Sequence, residues 1–188
     1  MPWLIILLAY LIGSVPTAYI VGRGTRGVDI REVGDENMGA ANAFRELGPR
    51  AGVTVFFIDL AKGALCLLLA RVLGAGLEVA LLAGAAAVAG HNWPVFAGFR
   101  GGRGLSTAIG ALLVALPQPV LILAVPALLA LAVKKNVSLA AGVLFAPLWL
   151  VSWITGAPPV LLAYSIAMPL LVGFTHFVRT RKKLPHRV

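Results

Sequence analysis

A basic, glycine-rich segment in the middle of the chain contains groups that could bind a phosphate. It reads Arg100-Gly101-Gly102-Arg103-Gly104 and is followed directly by an apolar stretch. Three glycines allow successive backbone N–H groups to point into one concavity, two arginines flank them, and a helix that starts next adds its positive end. The spacing is not that of a Walker loop. A turn made basic only by membrane topology would have the same composition, so both interpretations stay open.

A second polar segment, nearer the N-terminus, combines amides, glycine and arginine within nine residues. Its members are Asn37, Gly39, Asn42 and Arg45. Amides supply neutral donors, glycine allows close backbone approach, and arginine supplies a cation with a fork of donors. An anionic ligand would use these groups. An amphipathic helix at the membrane surface would contain the same residue types, and this alternative also stays open.

Other chemistries are disfavoured by the residues that the sequence lacks. None of the three histidines is four residues from another, there is one cysteine, Cys66, and no carboxylate cluster lies in the apolar stretches. Metal ligands and a serine nucleophile elbow are therefore not predicted, and no cofactor is expected. The basic residues are divided among several loops, which disfavours nucleic acid as a partner. Any chemistry would use positioned donors acting on phosphate-like groups.

Membrane helices must position these segments. Of 188 residues, 60% are apolar and 12% charged, and the mean hydropathy is +0.93. Seven apolar stretches are predicted as transmembrane helices: Trp3 to Val21, Ala51 to Leu73, Val79 to Phe96, Leu105 to Leu116, Pro119 to Val133, Val137 to Ile154 and Pro159 to Phe177. The fourth and fifth are short, and the Pro117-Gln118-Pro119 sequence between them predicts a hairpin turn. The predicted fold is an all-α integral membrane protein with a single domain over residues 1–188.

The distribution of positive charge predicts the orientation. Segments 22–50, 97–104, 134–136 and 178–188 hold fourteen of the sixteen Lys and Arg residues, whereas the connections on the opposite side hold none. Because basic residues collect on the cytoplasmic side, the N-terminus is predicted outside and the C-terminus in the cytoplasm. We expect a multi-pass protein of the cell (inner or plasma) membrane whose active face is cytoplasmic.

A few polar residues lie inside the apolar stretches, where each must be paired or functional. Asp59 and Lys62 are three residues apart and share a helix face, so they are predicted to form a buried pair that ties helices together. His91 is expected to brace the bend at the end of its helix. Ser138 follows a short basic turn, where it could cap the next helix.

Three stretches together resemble the bacterial acyl-phosphate:glycerol-3-phosphate acyltransferases, the PlsY family. They are Gly13-Ser14-Val15-Pro16 with Asp29-Ile30-Arg31 and residues 34–45; Asp59-Leu60-Ala61-Lys62-Gly63; and Gly90-His91-Asn92-Trp93-Pro94 with residues 99–104. The segment from Lys134 to Ser138 is similar to a serine-bearing loop of the family. The resemblance covers nearly the whole chain and includes its length and seven-helix topology.

The resemblance implies transfer of an acyl chain from acyl phosphate to the sn-1 hydroxyl of glycerol 3-phosphate. The products would be lysophosphatidic acid and phosphate, an early step of phospholipid biosynthesis, with no metal, acyl-CoA or covalent acyl-enzyme. The implied partners are acyl phosphate, glycerol 3-phosphate and the lipid bilayer. Catalytic roles are implied for Asn42, Arg45, Arg103 and His176. Together with the basic segment, the resemblance predicts substrate contacts from Asn37, Gly39, Arg100, Gly101, Gly102, Gly104 and Ser138.

The chain departs from the family pattern at several positions. The family's Gly-Ser-Gly-Asn reads Gly34-Asp35-Glu36-Asn37 here, Ala41 replaces a threonine, and Arg103 replaces a lysine. The third motif reads His176-Phe177-Val178-Arg179, without the family's asparagine or later glutamate. Two hypotheses follow: an active acyltransferase in which Asp35 is the general base, or a non-catalytic paralogue that binds an anionic lipid or phosphate ligand. A transporter is disfavoured, because the polar residues gather at one membrane face.

Overall fold

The computed structural model describes residues 1–181, and every regular element in this range is helical. The α-helices, numbered in chain order, are α1 (Pro2–Gly13), α2 (Thr17–Arg26), α3 (Ala40–Glu46), α4 (Pro49–Val72), α5 (Leu77–Asn92), α6 (Leu105–Ala115), α7 (Pro117–Lys134), α8 (Val137–Phe145), α9 (Leu148–Ile154) and α10 (Pro159–Arg181). A short 3₁₀ turn, Val95–Ala97, lies between α5 and α6. The prediction of an all-α protein is confirmed.

Within residues 1–181, six helical segments are long and apolar enough to cross a membrane. They are Pro2–Arg26, Pro49–Val72, Leu77–Ala97, Pro117–Lys134, Val137–Ile154 and Pro159–Thr180. The seventh predicted stretch, Leu105 to Leu116, forms α6. Its eleven residues extend roughly 16 Å, about half the thickness of the hydrocarbon layer. Many large apolar side chains on the other helices are exposed, as expected for surfaces that contact lipid.

The first apolar stretch is interrupted, although the sequence predicted one continuous helix there. α1 ends at Gly13 and α2 begins at Thr17, with Pro16 between them. Proline has no backbone N–H and disfavours the helical conformation of the residue before it, which favours a break at this point. The break leaves the carbonyl of Val15 without its normal partner in the helix.

The buried Asp59–Lys62 pair on α4 provides a hydrogen-bond donor for this carbonyl. The ammonium group of Lys62 donates to the Val15 carbonyl at 2.6 Å, to Asp59 Oδ1 at 2.8 Å and to the Thr17 hydroxyl. The Thr17 hydroxyl donates to the same Asp59 oxygen at 2.8 Å. The Asp59 and Lys62 side chains are 1% and 7% exposed, so the charges compensate each other away from water. The predicted pair that ties helices together is confirmed.

Glycines allow two pairs of helices to pack at backbone distance. A Cβ on Gly63 of α4 would overlap the Thr107 carbonyl of α6, and one on Gly110 of α6 would overlap the Leu60 carbonyl of α4. α1 and α5 meet in the same way at Gly13 and Gly90. Small residues at such crossings are typical of membrane helices, where association depends on close packing.

Two details around α7 and α8 differ from the sequence predictions. Pro117 is the first residue of α7, so the Pro-Gln-Pro sequence forms the first turn of a helix instead of a hairpin turn, and the chain reverses at Leu116. Proline suits this position because its φ angle is already helical. Asn136 caps α8 by accepting a hydrogen bond from the Leu139 N–H at 3.0 Å. Ser138 is therefore not the cap.

Replacing Gly110 by alanine is expected to lower the free energy of unfolding by about 2 kcal/mol, because the added methyl group forces α4 and α6 apart. Gly142 of α8 provides the matched control, since a Cβ built there meets nothing within 4 Å. Alanine at that position should leave stability unchanged or raise it, because alanine favours a helix. Thermal unfolding in detergent, followed by tryptophan fluorescence, compares the two variants. Equal midpoints would contradict the backbone contact.

Candidate active site

The glycine-rich segment lies flat against the last turn of α5. A Cβ on Gly101 would overlap the His91 carbonyl, one on Gly102 would overlap the His91 ring, and one on Gly104 would overlap the Asn92 side chain. Gly104 also has a φ angle of +80°, which favours glycine. The glycines are therefore required by contact with α5. Arg103 is the one residue among 101–104 that has a side chain, and this side chain is 27% exposed.

The backbone of this loop is only partly available to a ligand. The Gly102 N–H donates to the His91 carbonyl at 3.0 Å, so the sequence-based idea that all loop N–H groups face one concavity is wrong for this group. α6 begins at Leu105, directly after the loop, as predicted. The positive end of that helix therefore lies beside Arg103.

Asn42 organises the loop that precedes α3. Its side chain is fully buried, and its amide nitrogen donates to the carbonyls of Ile30 at 3.3 Å and Val33 at 3.1 Å. Its amide oxygen accepts from the Asp35 N–H at 3.1 Å. These contacts use both ends of the amide to hold the backbone from residue 30 to residue 35. The structure therefore places Asn42 beneath the loop that carries Asp35.

A cluster around Asp29 holds the start of the same loop. Asp29 accepts hydrogen bonds from Arg31 through Nε at 2.9 Å, the second guanidinium nitrogen at 2.7 Å and the backbone N–H at 3.0 Å. Arg23 lies 3.4 Å from the same carboxylate. The Arg31 guanidinium holds the pKa of Asp29 well below its usual value, and Asp29 in turn raises the pKa of Arg31. Arg31 also lies over the Tyr19 ring, 4.7 Å from its centre.

Asp35 joins the two polar segments that the sequence singled out. One of its oxygens lies 3.1 Å from the Arg45 guanidinium and 3.5 Å from that of Arg103. The two arginines come from α3 and from the glycine loop, and the carboxylate lies between their charges. The acidic residue at this position is thus bridged to both cations.

The backbone next to Asp35 retains a conformation suited to glycine. Gly34 has a φ angle of +61°, and Glu36 has a φ angle of +54°, which is uncommon for a residue with a side chain. The family pattern has glycine at the position of Glu36. Such left-handed residues cost roughly 1 kcal/mol when they carry a Cβ, and the surrounding contacts must compensate.

Two polar atoms near this cluster have no protein partner within residues 1–181. They are Nε of Arg103 and the amide oxygen of Asn37, and both are shielded from solvent. Asn37 lies just before Gly39, which is the N-cap residue of α3. Unsatisfied buried donors and acceptors are costly, so such atoms are candidates for contact with a ligand.

The remaining predicted site residues lie at different distances from this centre. His176, on α10, is half-buried and close enough to Arg103 for their charges to interact. Arg100 is exposed, and its guanidinium reaches the Arg31 carbonyl at 3.5 Å. Ser138 is exposed near the start of α8, and within the described residues no hydrogen bond joins it to Asp35, Arg45 or Arg103.

The contacts of Arg179 did not follow from the sequence. Its guanidinium donates to the Gly101 carbonyl and, at 2.5 Å, to the Asn92 carbonyl. From the sequence, this position was a departure from the family's third motif and one of four arginines that could act at the site. Its location three residues after His176, on the same face of a helix, is the signal that could have drawn attention to it.

The six apolar spans and the helical fold define a multi-pass integral membrane protein. The family model described as "Glycerol-3-phosphate acyltransferase" matches residues 3–185. The chain belongs to this family, which confirms the resemblance stated above.

Several relatives support this membership. "Glycerol-3-phosphate acyltransferase 4" of Dehalococcoides mccartyi is 49% identical over 182 residues, covering 97% of this chain and 98% of the relative. "Glycerol-3-phosphate acyltransferase 1" of the same species is 40% identical over 185 residues, covering 95% and 89%. "Glycerol-3-phosphate acyltransferase" of Chlorobaculum tepidum is 46% identical over 145 residues, covering 71% and 62%.

Two solved structures share the fold. One is a crystal structure of PlsY (YgiH), an integral membrane glycerol 3-phosphate acyltransferase, in its glycerol 3-phosphate form, with a TM-score of 0.86 at 34% identity. The other is the lysophosphatidic acid form, with a TM-score of 0.84 at 32% identity. Each match covers 96% of this chain and 90% of the solved chain.

Replacing Asp29 by asparagine is expected to lower the free energy of unfolding at pH 7 by about 2 kcal/mol, because the charge-assisted bonds to Arg31 are lost. The pKa of Asp29 is lower in the folded protein, so its stabilising effect is complete above the ordinary value of 3.8 and is lost as the pH falls below it. The difference between wild type and variant should therefore shrink on acidification.

Denaturant unfolding at pH 7 and at about pH 3 tests this expectation. Glu32→Gln, in the same loop but exposed, is the matched control and should change little at either pH. A difference between wild type and Asp29→Asn that stays constant with pH would argue against an ionised, stabilising Asp29.

Proposed function

We propose that the protein transfers an acyl chain from acyl phosphate to the sn-1 hydroxyl of glycerol 3-phosphate, giving lysophosphatidic acid and phosphate. The observation that supports this most directly is the meeting of Arg45 and Arg103 at Asp35. Two cations from distant segments lie together at one end of a membrane protein, as required for two phosphate-bearing substrates. Family membership and the names of the relatives support the same activity.

The reaction depends mainly on positioning. An acyl phosphate is a mixed anhydride with a good leaving group, so the protein must hold both phosphates and align the hydroxyl. The hydroxyl oxygen forms a bond to the acyl carbon, the bond from that carbon to the phosphate oxygen breaks, and phosphate leaves with the electron pair. Arginine donors stabilise the charge that develops on the carbonyl oxygen and on the phosphate.

Asp35 has two successive roles in this proposal. Without substrate it holds the Arg45 and Arg103 side chains near each other. When substrate phosphate binds, its oxygens take over donors of these arginines, and the carboxylate then accepts the proton of the attacking hydroxyl. This is the general-base role that replaces the serine of the family pattern.

The other predicted residues are assigned by their location. Arg45, Arg103 and His176 contact the substrates during the reaction, whereas Asn42 positions the loop that carries Asp35. Substrate contacts are proposed for Asn37, Gly39, Arg100, Gly101, Gly102, Gly104 and Ser138. The unpartnered Asn37 oxygen and Arg103 Nε support the proposal, because a bound substrate would satisfy them.

The proposed topology has seven crossings of the cell (inner or plasma) membrane, with the N-terminus outside and the site facing the cytoplasm. α6 supplies the short crossing. A Cβ on Gly104 would meet Val88, one turn before the end of α5, so the glycine loop dips below that end and α6 starts within the membrane layer. A helix that starts at this depth needs fewer residues to reach the opposite face.

Purified protein in detergent is expected to release inorganic phosphate from an acyl phosphate when glycerol 3-phosphate is added, with lysophosphatidic acid detected by mass spectrometry. Arg103→Ala should lower kcat/KM at least 100-fold, because it removes a donor that stabilises the transition state. Arg50→Ala, which removes an exposed arginine at the start of α4, is the control and should keep wild-type rates. A folded wild type that releases no phosphate with several acyl chain lengths would disprove the proposed reaction.

The ion pairs of Asp35 also favour a second candidate, a paralogue that binds an anion without catalysis. In that case Asp35 would occupy the arginines that a substrate phosphate needs. The alternative retains the fold and the site but not the turnover.

Asp35→Ser distinguishes the two functions. If Asp35 is the general base, kcat of the serine variant should fall roughly tenfold to 100-fold and KM for the phosphate substrates should fall, since a competing charge is removed. If the chain is the non-catalytic paralogue, the wild type is inactive and Asp35→Ser gains activity. The same phosphate-release assay measures both outcomes.

A further inference from the structure

Arg179 connects the two ends of an eight-residue excursion of the chain. Residues 93–100 leave the end of α5 and return to the glycine loop. Asn92 and Gly101 border this excursion, and their carbonyls accept from the two terminal nitrogens of the Arg179 guanidinium. One side chain on α10 thus joins the two ends of the excursion, across sequence separations of 87 and 78 residues.

Neighbouring hydrogen bonds also hold the two ends of this excursion in place. The Gly102 N–H donates to the His91 carbonyl at 3.0 Å, which also joins the glycine loop to the last turn of α5. The Asn92 side chain donates to the Thr175 hydroxyl at 2.9 Å. Thr175 lies one turn before Arg179, so two side chains on one face of α10 fasten the end of α5.

The hydrogen bonds of Arg179 to the Asn92 and Gly101 carbonyls, called the clamp below, are close in sequence to two residues of the candidate site. Gly101 is two residues before Arg103, and His176 is three residues before Arg179 on α10. Glycines give the loop little rigidity of its own. The place of the Arg103 guanidinium relative to His176 therefore depends on how α10 holds the loop.

We infer that Arg179 is a positioning residue, which holds the Arg103 loop against α5 and α10 in the geometry needed for acyl transfer. This inference rests on the proposed function. Arginine suits the role because its planar fork carries donors in fixed directions and can bridge two carbonyls. The family pattern implied by the resemblance has an asparagine at this position, so the pattern itself does not assign this role.

The rate of phosphate release from acyl phosphate in the presence of glycerol 3-phosphate tests the inference. Arg179→Met and Arg179→Ala should lower kcat at least tenfold, with a smaller change in KM for glycerol 3-phosphate. Arg179→Lys keeps the charge but has a single nitrogen, and its kcat should lie between the wild type and the methionine variant. Free guanidinium at millimolar concentration should restore part of the kcat of Arg179→Ala and leave Arg50→Ala unchanged.

A second measurement does not require activity. Hydrogen exchange followed by mass spectrometry should show faster exchange over residues 93–104 in Arg179→Met and Arg179→Lys, while α7 keeps its protection. Unchanged exchange there would overturn the clamp.

The outcomes separate the two proposals. An inactive, folded wild type overturns the proposed function and the role of Arg179 in it. An active wild type whose Arg179→Met and Arg179→Lys variants keep full kcat overturns the positioning role alone. Loss of kcat without rescue by guanidinium, together with unchanged exchange in the lysine variant, also overturns it.

Discussion

The contact on which the site depends is the backbone of the glycine loop lying directly on the last turn of α5. There is no space for a Cβ at Gly101, Gly102 or Gly104, so the loop can approach the helix only with these residues. This close approach fixes where Arg103 emerges and where α6 begins. It also explains the spacing of the motif, because the residue between the second and third glycines is the one with room for a side chain.

Electrostatic compensation is the second constraint. Inside the helices, Lys62 pairs with Asp59 and donates to the carbonyl exposed by the break before α2. At the site, Asp35 lies between Arg45 and Arg103. In both places charged groups near the membrane layer form ion pairs within the protein, because lipid offers no partner. The difference is that the partners at the site can be exchanged for those of an anionic substrate.

Several features could be predicted from local sequence. The apolar stretches, the pairing of Asp59 with Lys62 and the start of a helix after Gly104 follow from patterns within a few residues. Other features could not. The break at Pro16 looked compatible with one span, and the Pro117 sequence was interpreted as a turn although it starts α7. In each case a proline is compatible with two local structures, a helix or an interruption of it, so the local sequence does not choose between them.

The amino-acid sequence by itself determined the helical membrane class, the family and the residue types available for binding phosphate, since hydropathy and motif order are local properties. The tertiary structure decided which of these residues meet. From the sequence, Asp35 was either a general base or a sign of a non-catalytic paralogue, and its ion pairs with both Arg45 and Arg103 became visible only when α3 and the glycine loop were placed together. Arg179 was noticed as a departure from a motif and proved to bridge two carbonyls far away in sequence. Such contacts depend on how closely the helices approach, which no short segment encodes.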